Sequence, residues 1–202
     1  MKPKPMLCKG SVVRAMLDGQ QTQDRRPIKP QPAAVDGGVN AYDERTRLIV
    51  PPYQPGDIIW VRETHGYYNP GNPETGLPNR EITEIIYPAT DEVPDVAYDA
   101  DDMLYDRPLP MRPSIHMPKW ACRLFLKVNA VRVERVQDIS IEDCMAEGIG
   151  GEGCEACGAP SVRELFHELW ESLYPGSWER NEWVWVYEFE RTEKPADWPN
   201  GG

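Results

Sequence analysis

Between Gly19 and Pro27 the chain reads Gln20-Gln21-Thr22-Gln23-Asp24-Arg25-Arg26. Amides, a hydroxyl, a carboxylate and paired guanidinium forks in one short run can grip a ligand that carries both donors and acceptors. The same run also fits a solvated turn leading into a strand. Arg26 suits a phosphate or carbonyl as a bidentate donor, and Glu147, far along the chain, suits a base amine as its acceptor. These residues fit a structural ion pair equally well. Asp24 beside Glu147 would supply two carboxylates for general acid–base work. Trp60, Arg62, Glu63 and Tyr67 offer stacking and hydrogen bonds to a base, although Trp60 also fits a core position. Cys154-x-x-Cys157, flanked by Cys144 and His167, has ligand types that suit a tetrahedral structural zinc, the alternative being free thiols on a loop. Cys8 and Cys122 read as small buried groups. No dinucleotide fingerprint or phosphate loop is present, since the glycines at 148–153 lack the Lys-Ser/Thr ending.

These side chains need elements to hold them. Val12, Val13, Met16 and Leu17 recur at helical spacing after Ser11, a plausible N-cap, and Gly19 supplies the stop. Residues 27–55, rich in Pro and Gly, predict a loop with a short extended piece at 47–50. A turn at Pro55-Gly56-Asp57 then launches a strand, Ile58 to Val61, that ends in Arg62 and Glu63. A second Gly/Pro/Asn loop covers 66–80, and 82–87 is a candidate strand. Alternation from Arg123 to Val136 predicts a long or bent strand with its turn near Asn129-Ala130. Ser140 opens a short helix that ends near Glu147-Gly148. The strongest helical pattern runs over 161–173, with Val162, Leu165, Phe166, Leu169, Trp170 and Leu173 on one face. "NEWVWVYEFER" closes as a strand, with Trp183, Trp185 and Tyr187 on one face and Val184 and Val186 on the other. The order is mixed α and β, with a mainly antiparallel sheet.

With 202 residues, the chain has room for one elaborated domain. A single domain over 1–191 is expected, with an irregular, partly acidic insertion at about 66–118 and a loose tail at 192–202. No apolar run is long enough to span a bilayer and no signal peptide follows Met1, so a cytoplasmic protein without membrane association is expected. The net charge of −11 opposes sequence-blind binding to long nucleic acid, which needs phosphate-neutralising cations. That charge is unevenly spread. Residues 81–106 hold nine acids and no Lys or Arg, the pattern of a solvated insertion or of a mimic of nucleic-acid charge.

Gly19, Thr22 and Arg26, then Pro55-Gly56-Asp57, then "DISIEDCMAEGI" at 138–149, an amphipathic helix and the terminal "WVWVYEF" occur in an order that resembles the ASCH domain. The phrases "TQDRRPIKPQP", "MRPSIHMPKWACR" and "NEWVWVYEFER" resemble more closely the ASCH-like proteins of tailed phages and prophages. The resemblance covers about residues 6–64 and 120–191. It implies an α+β, PUA-like pseudo-β-barrel with flanking helices. It also implies a pocket for a nucleotide, a modified nucleoside or short RNA, formed by 19–26, 58–67 and Glu147, in a protein of the bacterial host cytoplasm. One branch of the family is an amidohydrolase acting on acetylated cytidine. Its working lysine, threonine, arginine and glutamate fall here on Gln21, Asp24, Arg26 and Glu147, so the arginine and the glutamate match. Gln21 has no proton that titrates in a useful range, unlike the lysine it replaces. The resemblance also leaves room for a protein-interaction factor in phage assembly or counter-defence.

Overall fold

The computed structural model describes residues 2–38, 40–68, 84–92, 97–98, 104–105, 110–150 and 160–199. β1 (Lys4–Leu7) leads into α1 (Gly10–Leu17), which Gly19 stops by taking a φ of 74°, open to a residue without Cβ. β2 (Gln23–Pro27) follows. The Pro/Gly-rich stretch then holds a small antiparallel sheet of β3 (Ala34–Asp36), β4 (Asn40–Tyr42) and β5 (Leu48–Ile49), where composition predicts chiefly loop. β6 (Ile58–Arg62) is the strand expected after the Pro-Gly-Asp turn, and β7 (Gly66–Tyr68) pairs with β8 (Glu84–Ile86). β9 (Ala97–Tyr98) pairs with β10 (Leu104–Tyr105); most of the acidic segment around them lies outside the described residues. β11 (Phe125–Arg135) passes through Asn129 and Ala130 as one strand, without the expected turn. α2 (Ile141–Ala146), α3 (Val162–Leu173) and β12 (Trp183–Thr192) complete the order.

A five-stranded sheet has the order β1-β6-β11-β12-β2, with β1 and β2 at its edges, so the described strands form an open sheet. The fold is α+β and mostly antiparallel. No described helix is long and apolar enough to cross a membrane.

The chain divides into two compact units. The first comprises Met1–Lys4, Ala15–Ile59 and Leu126–Thr192, and the second Pro5–Arg14, Trp60–Phe125 and Glu193–Gly202. In the first, Val184 and Val186 of β12 pack with Phe166 and Trp170 of α3 and with Val136, Ile139 and Cys144. α3 starts at a reciprocal cap, in which Ser161 Oγ accepts from the Glu164 N–H and the Glu164 carboxylate accepts from the Ser161 N–H. In the second, the tail expected to be loose is pinned by Trp198. Its ring packs against Trp60 and Phe125, and its Nε1 donates to the Lys119 carbonyl at 2.7 Å. An indole brings more apolar area than a terminus leaves in water, and its N–H has a partner.

Candidate functional site

The polar run begins where α1 ends. The N–H groups of Gln20 and Gln21 both donate to the Ala15 carbonyl (2.9 and 3.1 Å), and Thr22 N donates to the Ala146 carbonyl of α2 (2.8 Å). Gln21 and Glu147 form an antiparallel bridge. Gly148 permits this approach: its φ is +78°, and a Cβ there would lie 3.1 Å from the Cβ atoms of Ala15 and Gln21. The run and the end of α2 are thereby held side by side.

Strand phase then separates the two arginines. β2 pairs with β12 so that Arg25 faces Val186, Arg26 faces Trp185 and Asp24 faces Tyr187. Side chains alternate across a strand, so Gln23 and Arg25 lie on the face of the α2–α3 core, whereas Asp24 and Arg26 lie on the other with Trp185 and Tyr187. The Arg25 side chain is 0% exposed. Its Nη1 donates to Gln23 Oε1 (3.0 Å) and Glu147 Oε1 (2.9 Å), and its Nη2 to Glu134 (3.0 Å) and Asp143 (2.7 Å). Arg132 of β11 reaches the same cluster, donating to Asp143 at 3.0 Å and also to Glu134 and Glu188. Two guanidinium groups thus hold four carboxylates, and the cluster carries excess negative charge. Burial raises the Glu147 carboxyl well above the usual range, and the charge of Asp24 adds to this while Arg25 opposes it.

Above this cluster lies an open depression of ≈ 410 Å³, lined by Thr22, Gln23 and Asn129, by Glu142, Asp143 and Ala146 of α2, and by Glu188 and Phe189 of β12. It stands where the polar run meets α2. Of the residues proposed from sequence, Thr22 lines it directly. Arg25 and Glu147 lie buried in the supporting cluster, and the Gln21 side chain is buried with its amide donating to the Gln23 carbonyl at 3.0 Å. Asp24 and Arg26 pair with each other at 2.6 Å on the opposite face, partly open to solvent.

Trp60, Arg62, Glu63 and Tyr67 belong to the second unit. Trp60 is buried against Trp198, and Arg62 stands 5.1 Å from the Trp60 ring centroid. Glu63 is 1% exposed and accepts two hydrogen bonds of 2.9 Å from Arg123. Tyr67 is half-buried, with His65 edge-on, Arg112 over its ring and Trp120 tilted against it. Of the proposed zinc ligands, Cys154 and Cys157 lie outside the described residues. Cys144 is packed in the apolar core of the first unit, where burial pushes its thiol up to about 11, and His167 lies against the Trp178 ring. Among the described residues, no group of three or more His, Cys, Asp or Glu side chains is arranged to hold a metal.

Sequence reasoning passed over Asn129, Arg132, Glu134, Asp143 and Glu188. The legible signal was charge at alternate positions, Arg132 and Glu134, between the valines of "VRVERV", and Glu188 directly after "WVWVY". No family model, curated protein or solved structure matches the chain.

Proposed function

We propose that the first unit is an ASCH-type, PUA-like module that binds a neutral nucleoside in the depression between Thr22, α2 and the end of β12. The observation that carries this reading is the lining itself. Asp143 and Glu188 are acceptors held in place by Arg25 and Arg132, and carboxylates of this kind accept from the exocyclic amines of bases. Gln23 and Asn129 add amides, Phe189 adds an apolar wall, and a volume of ≈ 410 Å³ suits a ligand of nucleoside size. The excess negative charge opposes phosphate and so favours a nucleoside over a nucleotide or long RNA. Binding is preferred to hydrolysis because the Gln21 amide is engaged by its own chain and Asp24 lies on the opposite face from Arg25 and its carboxylate partners.

Calorimetric titration with the four ribonucleosides and their 5′-monophosphates tests this. An amine-bearing nucleoside should bind, and its monophosphate should bind about tenfold more weakly, the effect of about 1.4 kcal/mol of like-charge repulsion. Thr22→Trp, at an exposed position, should fill the depression and abolish binding without lowering the melting temperature. A monophosphate that binds more tightly than its nucleoside, or unchanged binding by the Trp variant, overturns the reading.

A further inference from the structure

Asn129 stands inside β11 at the place where its type predicts a turn, and asparagine is a poor strand residue, so the backbone gives no reason for it. It is exposed and lines the depression, and its amide has no hydrogen-bond partner among the described residues. The other amide of the lining is already engaged. Gln23 Nε2 donates to Asp143 Oδ1 at 3.1 Å, and Gln23 Oε1 accepts from Arg25 at 3.0 Å. Asp143 accepts from Arg25 and Arg132 as well. Glu188 Oε1 accepts from Arg132, which leaves its Oε2 free among the described residues.

Strand geometry brings Asn129 and Glu188 together. β11 and β12 are neighbours in the sheet, and Lys127 Nζ meets Glu190 Oε1 at 3.2 Å across them. At the far end the Val136 N–H donates to the Glu182 carbonyl, so the two strands run antiparallel. Asn129 lies two residues after Lys127 and Glu188 two before Glu190. Alternation therefore puts both on the face of that ion pair, within about 8 Å of each other at Cβ.

We infer that Asn129 and Glu188 together determine base specificity, selecting an amine beside an unprotonated ring nitrogen, the edge shared by cytosine and adenine. This inference rests on the nucleoside reading and narrows it. Glu188 Oε2 accepts from the exocyclic amine, and Asn129 Nδ2 donates to the ring nitrogen. An amide can present either end, so Asn129 alone would take a lactam edge, C=O beside N–H, equally well. The carboxylate breaks this symmetry, because it only accepts and a carbonyl oxygen facing it is repelled. Uracil and hypoxanthine are thereby disfavoured. Guanine carries its amine beside a ring N–H, and the second carboxylate oxygen that would take this extra donor is held by Arg132.

The test titrates the full chain, Asn129→Ala and Glu188→Gln with the matched pairs cytidine and uridine, adenosine and inosine, and with guanosine. The wild type should bind cytidine and adenosine about tenfold more tightly than the other three, the effect of one hydrogen bond. Asn129→Ala should weaken cytidine and adenosine about tenfold with an unchanged melting temperature, since the side chain is exposed and unpaired. Glu188→Gln supplies a group that donates or accepts, so uridine and inosine should gain and the preference within each pair should collapse. Uridine and inosine bound by the wild type as tightly as their amine counterparts, or a preference for guanosine, overturns the selection and leaves the nucleoside reading standing. Unchanged affinity in Asn129→Ala overturns the role of Asn129, and a preserved preference in Glu188→Gln overturns that of Glu188. A wild type that binds no nucleoside overturns both the selection and the reading beneath it.

Discussion

Arg25 and Arg26 are chemically identical neighbours with opposite fates, decided by which face of β2 each occupies. Arg25 anchors Glu134, Asp143 and Glu147 from a fully buried position, so truncating it takes the guanidinium from buried Glu147 and from the part-buried Glu134 and Asp143. Arg25→Ala should lower stability by about 3–5 kcal/mol. Arg26→Ala, which removes a partly exposed pair with Asp24, should cost about 1 kcal/mol or less. Urea denaturation of both variants checks the contrast, and similar midpoints would mean that Arg25 is not the anchor. The paired arginines were visible in the sequence as candidate ligand groups. Their division of labour was not, because it depends on strand phase and on partners more than a hundred positions away, Glu134 and Glu147 among them.

At the scale of elements, α3 was the most legible, since its apolar spacing and its Ser161 and Glu164 cap are all local in sequence. Ser161→Ala removes the side-chain acceptor for the Glu164 N–H and should cost about 1 kcal/mol, a fall of about 2–4 °C in melting temperature by differential scanning calorimetry. An unchanged melting temperature would show that the end of α3 is held by its packing alone. β12 also followed its alternation, with Val184 and Val186 in the core and Trp185 and Tyr187 opposite. β11 did not follow the expected turn, because Asn129 and Ala130 carry turn propensity that the neighbouring strands override. The short strands β3, β4 and β5 were masked by Pro and Gly content that reads as loop until cross-strand pairing is known.

For the whole molecule, the order of the predicted elements carried the mixed α and β class and the antiparallel sheet, while the division into two units and the anchoring of Trp198 required contacts distant in sequence. The overall negative charge and the acidic lining point the same way, toward a neutral ligand. The central claim, that a nucleoside occupies the depression of the first unit, is tested most directly by amide chemical-shift mapping of the isotope-labelled full chain during titration with guanosine, cytidine and adenosine. The expected result is saturable shifts for at least one of them, concentrated at Thr22, Gln23, Asn129, Ala146 and Phe189. Shifts confined to second-unit residues such as Tyr67 and Trp120, or no shifts with any of the three, would contradict it.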